Sequence, residues 1–413
     1  MSSITLKIDE SNYNNSSGNV DIENTKEDII EYVKPTLCFA TMCKNEEHCI
    51  IETLESVYKY IDTWVVHDTG STDNTCEVVS KFFEEKGIPG ELYCEEWRGF
   101  DYNKTKMIER CYNKSDYVLH LDADDILVGD FKFNLMVPTK DTYYLNTKRG
   151  FCEYKCINIW RNTLRWKFCG VAHTVVNCLD KSDWNHSNEL VSTDLYLHSR
   201  DIGKRSSDPN KYLKDAKLLE KQFFNTLYDD PDGLNSRSVF YTAQSYFDSA
   251  HITDALKWYS LYIKLKYTWI EEVFESYIRI ATCLINLNRP YNDIKQNINN
   301  AINIFPDRAE PYYTLGKYCN NIQKHEDAYY LLYKSYSMNF DDIKNKYRLF
   351  LTERNYGKYA LDELSVACYW TNRLDEGKNY LLEIIEDEDF KIYKERLDTN
   401  MEYFNNKLLN SDV

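Results

Sequence analysis

Between residues 37 and 121 short apolar runs alternate with stretches of helical periodicity, and this alternation constrains the fold more than any other feature of the chain. The runs are Leu37-Cys38-Phe39-Ala40-Thr41-Met42, Trp64-Val65-Val66-His67, a short one around Leu92, and Tyr117-Val118-Leu119-His120-Leu121. Helical patterns separate them, from Glu46 to Tyr60, through Val78, Val79, Phe82 and Phe83, and from about Tyr102 to Asn113. The turn residues of Lys86-Gly87-Ile88-Pro89-Gly90 stop the second helix. A helix between successive strands lets them lie parallel, and parallel strands buried on both faces read as continuous apolar runs. The expectation is an α/β unit whose mostly parallel sheet is covered by helices.

That pattern stops near residue 205, where strand signals give way to long amphipathic helices. Ala243, Tyr246, Ala255 and Tyr259 are answered by Gly316, Cys319, Ala328 and Leu332, and Ala281 and the stretch from Ser365 to Gly377 fall at compatible intervals. Small residues let two helices approach and large ones fill the space between, as in helical-hairpin repeats of about 34 residues. A generic helical bundle is the competing reading, and either way this half is expected to be all-α. Residues 1–34, rich in Asn, Ser, Asp and Glu, read as a flexible tail. The division is then a tail over 1–34, the α/β domain over 35–205 and the helical domain over 206–413, and 413 residues suffice for two cores.

The charge balance excludes several roles. A net charge of -16 repels polyphosphate chains and no basic patch offsets it, so nucleic acid is not an expected partner. One nucleotide can still bind through a divalent cation and a few local Lys or Arg groups. The N-terminus lacks a basic start followed by an apolar core, and no stretch approaches the roughly 20 apolar residues of a spanning helix. No membrane span is expected. The 13 Cys are odd in number and form no CxxC pair, which suits reduced thiols in the cytoplasm better than disulfides or structural zinc.

Asp122-Ala123-Asp124-Asp125 follows an apolar strand, so its carboxylates project from the carboxyl edge of the sheet, where α/β proteins place ligands. Two carboxylates one residue apart reach a common hard cation and leave positions open for diphosphate oxygens, which suits Mg²⁺ or Mn²⁺. Such a cation stabilises charge developing on a departing nucleoside diphosphate. Alone, the tetrapeptide equally fits a surface turn. Its company changes the balance: Lys44-Asn45-Glu46 ends the first strand and Asp68-Thr69-Gly70-Ser71-Thr72-Asp73 ends the second, so three polar sites converge on one edge.

TMCKNEE, VVHDTGSTDNT and LHLDADD together resemble the strand-end motifs of inverting family 2 glycosyltransferases with a GT-A fold, strongly over about 36–130 and more loosely to about 220. The helical repeats resemble the tetratricopeptide extension of some members. The resemblance implies a Rossmann-like GT-A domain that moves a sugar, with inversion, from a nucleoside diphosphate sugar, a UDP-sugar, with Mn²⁺ or Mg²⁺ bound. By the same resemblance Lys44 and Glu46 border the nucleotide pocket, Asp68 contacts the uracil or ribose, and Asp73 supports that loop. Asp124 is the implied direct metal ligand, with Asp122 near the ribose and metal and Asp125 a supporting acid. His198 aligns with a later histidine that completes the metal shell, and Arg200, Lys204 and Arg205 follow it as a basic group for the diphosphate.

The segment from Trp160 to Thr174 resembles an acceptor-side region of the repeat-bearing subgroup, with His173 available as the base that an inverting transfer needs. There are two departures from the family pattern. Phe100 is followed by Lys104-Thr105 where Arg-Asn is common, and Lys104 attracts a diphosphate without the planar fork of arginine. Thr174 replaces the Glu of a His-Glu pair. The implied acceptor is a protein, peptide or glycan, and the repeats suit binding of a protein or self-association. The two departures support an alternative, a noncatalytic scaffold built on a degenerate transferase domain, and the presence of Asp68, Asp122 and Asp124 argues against it. A sugar nucleotidyltransferase is disfavoured, because its first strand leads into a Gly-rich phosphate loop and TMCKNEE contains no Gly.

Overall fold

The computed structural model describes residues 34–133, 138–183, 188–191 and 194–411, so apart from Lys34 the expected N-terminal tail lies outside the described residues. The expected alternation is present as β1 (Leu37–Cys43), α1 (Ile50–Val57), β2 (Thr63–Asp68), α2 (Thr75–Lys86), β3 (Gly90–Cys94), α3 (Phe100–Cys111) and β4 (Tyr117–His120). Alternate residues of β1 serve two cores. Leu37, Phe39 and Cys43 pack with Leu54, Val57, Val79 and Phe83 of α1 and α2, while Cys38 and Ala40 pack with Met107, Ile108 and Cys111 of α3. Full burial of one large apolar side chain contributes about 1.5–3 kcal/mol, so both faces of such a strand favour apolar residues. The first helix is shorter than its pattern because Asn45 takes a left-handed backbone, φ 59°, and residues 46–49 turn before Ile50 begins the helix.

β3, β2, β1 and β4 lie side by side in that order, all parallel. The strand order reverses between β1 and β4, and a reversal of this kind opens a crevice outside the carboxyl ends of the two strands. Past β4 come β5 (Ile126–Val128), β6 (Thr142–Arg149), β7 (Cys152–Arg161), the hairpin of β8 (Trp166–Cys169) and β9 (Val175–Cys178), β10 (Asn188–Leu190) and β11 (Tyr196–His198). The sheet continues β4-β7-β6-β11-β5, with β7 antiparallel to both its neighbours.

Helices follow: α4 (Lys211–Asn225), α5 (Asn235–Asp248), α6 (Ile252–Tyr262), α7 (Ile270–Asn286), α8 (Tyr291–Ile304), α9 (Glu310–Asn321), α10 (His325–Tyr336) and the short α11 (Phe340–Ile343). After β12 (Leu351–Thr352) come α12 (Leu361–Trp370), α13 (Leu374–Ile384) and α14 (Lys394–Ser411). The repeat positions are core positions: Ala243, Ala255, Tyr259, Ala281, Cys319, Ala328 and Leu332 have no exposed surface. Gly316 lets α9 meet α10, since a Cβ there would lie 2.7 Å from Leu332 Cγ.

The helical half is not wholly α. β12 pairs antiparallel with Cys152 and Glu153 of β7. β4 reaches only Ile159–Arg161 of that ten-residue strand, and the near end of β7 has backbone groups that need partners. Arg308, fully buried, supports the inserted segment by donating to the carbonyls of Leu349 (3.1 Å) and Phe350 (2.6 Å) while paired with Glu310 at 2.8 Å. Among the described residues no helix is long and apolar enough to cross a membrane.

Candidate active site

The loops after β1 and β2 are joined before any ligand is considered. Asn45 N–H donates to Ser71 Oγ (2.8 Å), Thr72 N–H to Asn45 Oδ1 (2.7 Å) and Glu46 N–H to Thr75 Oγ1 (2.9 Å). Asp73 completes the join, accepting from the N–H and hydroxyl of Thr75 (3.1 and 2.5 Å) and from Glu47 N–H (3.3 Å). Burial works to raise its pKa, but these bonds prevail and hold the carboxyl below its ordinary value. Asp73 thus supports the loop.

Asp68, 2% exposed, faces inward. Its Oδ1 accepts from the N–H groups of Gly70 and Ser71, both at 2.9 Å, and its Oδ2 accepts from the Ser71 hydroxyl and the Cys43 thiol. The Asp68 carboxylate therefore shapes the Thr69-Gly70 turn from beneath, because a buried carboxylate must take its hydrogen bonds from whatever N–H groups enclose it. Above the turn lies an open cleft of about 520 Å³ lined by Lys44, Thr69, Gly70, Cys94, Glu95, Glu96 and Trp97. Four of these, Cys94 to Trp97, went unread in the sequence. They lie at the end of β3 and just past it, and the rule that places ligands at parallel strand ends applies to a third strand as well as to the first two.

At the end of β4 the acids are held differently from one another. Lys104 of α3 is buried and donates to Asp122 Oδ1 at 2.8 Å and to His120 Nε2 at 3.3 Å. His120 Nδ1 lies 2.9 Å from the Ala40 carbonyl, which only accepts, so Nδ1 carries the proton and Nε2 receives the lysine. Burial first, and then Lys104, push the His120 imidazole down to about 4, so it is neutral. Lys104 in turn holds the Asp122 carboxyl well below the usual carboxylate range. Asp122 remains 60% exposed on its side chain, open toward solvent on its other oxygen.

Asp124 and Glu46 face each other across Gly203. A Cβ on Gly203 would lie 2.9 Å from Asp124 Oδ2 and 3.4 Å from Glu46 Oε1. The strap of residues 199–205 reaches this point after β11: Gly203 N–H donates to Asp124 (2.9 Å), Lys204 N–H to both Glu46 oxygens (3.1 and 3.0 Å), and Arg200 Nε to the Asp124 carbonyl (2.6 Å). Burial raises the pKa of both acids. Asp125 is buried beneath them, and burial together with the charges of Asp122 and Asp124 pushes its carboxyl up to about 8. Of the basic trio in the strap, Arg200 is also paired with Glu52 and Arg205 with Asp215, which leaves the exposed Lys204 ammonium without an ion pair among the described residues. His198, on β11 opposite Ile126, does not draw together with Asp122 and Asp124 into a cluster of ligand atoms within 4.8 Å. The antiparallel pairing of β11 with β5 fixes it beyond the tetrapeptide.

Residues 38–164 match the model for glycosyl transferase family 2. These residues are a family 2 glycosyltransferase domain. No curated protein matches the chain. Among solved structures, S. aureus TarS 1-349 is 13% identical, covering 69% of this chain and 92% of its own, with a TM-score of 0.32. MamA is 17% identical, covering 47% of this chain and 99% of its own, at 0.34. A tetratricopeptide repeat protein from Parabacteroides merdae is 12% identical, covering 48% and 68%, at 0.36. In the family 2 domain of this chain, then, the crevice at the strand-order reversal carries Glu46 on one side and Asp122 to Asp125 on the other.

Just past the matched residues, the loop that carries His173 leans on the helices. His173, with a left-handed backbone of φ 49°, stacks on Tyr241 of α5 at 4.2 Å, and Arg237 Nε donates to its carbonyl at 3.0 Å. His173 is exposed to solvent. The protein packed around the ring, followed by the charges of Arg237, Arg205, Arg149 and Lys211, lowers its pKa below the ordinary value. A neutral imidazole accepts a hydrogen bond at every working pH, though such low basicity suits orienting a hydroxyl better than keeping its proton.

Proposed function

We propose that this protein transfers a sugar from a UDP-sugar to an acceptor hydroxyl with inversion, and that residues 35–205 catalyse it while residues 206–413 form a helical repeat domain that helps to bind a protein, peptide or glycan acceptor. The observation that carries this reading is the approach of Glu46 and Asp124 across Gly203, next to a cleft of nucleotide size. Lys44 lines that cleft as the cation nearest the donor phosphates, Trp97 offers a ring face for the base, and Asp68 and Asp73 hold the floor. The preference for uracil rests on the resemblance of the strand-end motifs alone.

The oxygen donors of Asp122 and Asp124 suit a hard divalent cation, Mn²⁺ or Mg²⁺. When bound, it supplies positive charge against the departing diphosphate. Lys104 keeps Asp122 ionised for that purpose, Asp125 serves as the supporting acid, and His173 orients the acceptor hydroxyl. The rival reading is a noncatalytic scaffold, which rests on Lys104 and Thr174; the contact of Lys104 with Asp122 supports the transferase reading by giving the lysine a place beside the acidic turn.

The test is release of nucleoside diphosphate from a panel of nucleotide sugars, with and without Mn²⁺, by the intact protein and by Asp124→Asn. Metal-dependent turnover of one donor that the substitution abolishes supports the reading, and NMR of the product anomer then decides inversion. Failure to turn over any donor, together with no binding of UDP and Mn²⁺ by calorimetry, sinks it.

A further inference from the structure

We propose that Asp68, Cys76 and Cys94 bind a soft divalent cation of the zinc type at the edge of the nucleotide cleft, and that this cation and the nucleotide exclude each other. The three residues come from different elements. Asp68 ends β2, Cys94 ends β3 as its direct strand partner, and Cys76 stands in the first turn of α2 above them. Their ligand atoms all lie within 4.8 Å of one another, and the two sulfurs are 4.0 Å apart.

That spacing discriminates between kinds of bond. A disulfide requires about 2.0 Å between sulfurs. Two thiolates at about 2.3 Å from one tetrahedral zinc stand about 3.8 Å apart. The two sulfurs therefore need a shift of only a few tenths of an ångström to share a cation. Two thiolates with one carboxylate select zinc over Mg²⁺ or Mn²⁺, so this site and the Asp122–Asp124 pair differ in the metals they take. Three protein ligands leave a fourth position open. Binding exchanges the two thiol protons for the cation and needs no oxidant.

The second cluster of ligand-type atoms, Glu46, His48 and Cys49, carries no such inference. It holds one thiol where the first cluster holds two, and its other two members are tied to the strap, Glu46 by Lys204 N–H and His48 Nε2 at 2.8 Å from the Ile202 carbonyl.

Exclusion follows from position. Cys94 lines the cleft, and both Asp68 oxygens hold the turn that floors it, Oδ1 through the Gly70 and Ser71 N–H groups and Oδ2 through the Ser71 hydroxyl. A cation that takes either oxygen loosens the floor. The exclusion, unlike the binding, rests on the nucleotide reading of the cleft.

The experiment is titration of the intact protein, kept reduced with a phosphine, with Co²⁺ as a coloured substitute for zinc. The expected result is one equivalent with thiolate-to-cobalt charge-transfer absorption, displaced by Zn²⁺ and lost in both Cys76→Ser and Cys94→Ala, each checked for native circular dichroism. Absence of that absorption, or its persistence in both variants, overturns the site. Calorimetry with UDP then tests exclusion: one equivalent of Zn²⁺ weakens UDP at least tenfold in the parent protein and leaves Cys76→Ser unaffected. Equal UDP affinity with and without Zn²⁺ overturns the exclusion while the cobalt result stands. No UDP binding even without Zn²⁺ overturns the nucleotide reading and the exclusion with it.

Discussion

The Lys104 ammonium lies 2.8 Å from Asp122 Oδ1 and is buried, whereas the Asp122 side chain is 60% exposed. A cation withdrawn from solvent thus sets the charge of an acid that faces it. Replacing Lys104 with Met leaves Asp122 ionising in its ordinary range, so the acid limb of the kcat/KM pH profile is expected to move to higher pH. Turnover at neutral pH is expected to fall on the order of 100-fold, the scale for losing a preorganised charge. An unmoved limb would show that ionisation of Asp122 does not limit the reaction.

Behind Lys104, His120 should make the fold acid-sensitive. Its folded pKa is about 4 against an ordinary 6.5, so between these values the unfolded chain binds a proton that the folded chain does not. Its contribution is complete above pH 6.5 and is lost as pH falls toward 4, by up to ~3 kcal/mol. Urea denaturation at pH 7 and pH 5 checks this, with a smaller pH difference expected for His120→Asn than for the parent.

Gly203→Ala isolates the strap. The glycine has φ -58°, which alanine adopts freely, so the substitution acts through the 2.9 Å approach to Asp124 alone. Loss of the Gly203 and Lys204 N–H bonds is expected, with amide exchange at both positions faster by about tenfold or more. Unchanged protection would mean that the acids yield instead of the strap.

In the helical half, Gly316→Ala sets two effects against each other. Helix propensity favours alanine by about 1 kcal/mol, while overpacking costs about 1–3 kcal/mol. Leu332 is wholly buried and cannot retreat from a Cβ at 2.7 Å, so net destabilisation of about 1 kcal/mol is expected in urea unfolding. Stabilisation would show that α9 and α10 separate easily.

Much of the site was legible because strand ends carry their chemistry with them. Lys44, Glu46, Asp122 and Asp124 follow the apolar runs that became β1 and β4, and the parallel order of β1, β2 and β4 brings those ends to one edge. What each acid does there was less legible. Asp68 points down into its own turn rather than toward the cleft, and Arg200 and Arg205 are taken up by Glu52 and Asp215. Which partner each such group takes, near in the chain for Asp68 and Arg205 and distant for Arg200, leaves no periodic trace in the sequence.

The same distinction holds for the whole chain. Local pattern determined the elements: short apolar runs set between helical stretches read as strands, too short for buried helices, and small residues at repeat positions read as helix contacts. Long-range closure decided the rest. The insertion of β12 beside β7, the meeting of Gly203 with Asp124 and the 4.0 Å approach of Cys76 to Cys94 each join residues that nothing in the sequence sets side by side. Such pairings arise where an open strand edge, a buried carboxylate or a gap between packed elements must be satisfied, and which residue satisfies it is decided only when the tertiary structure closes.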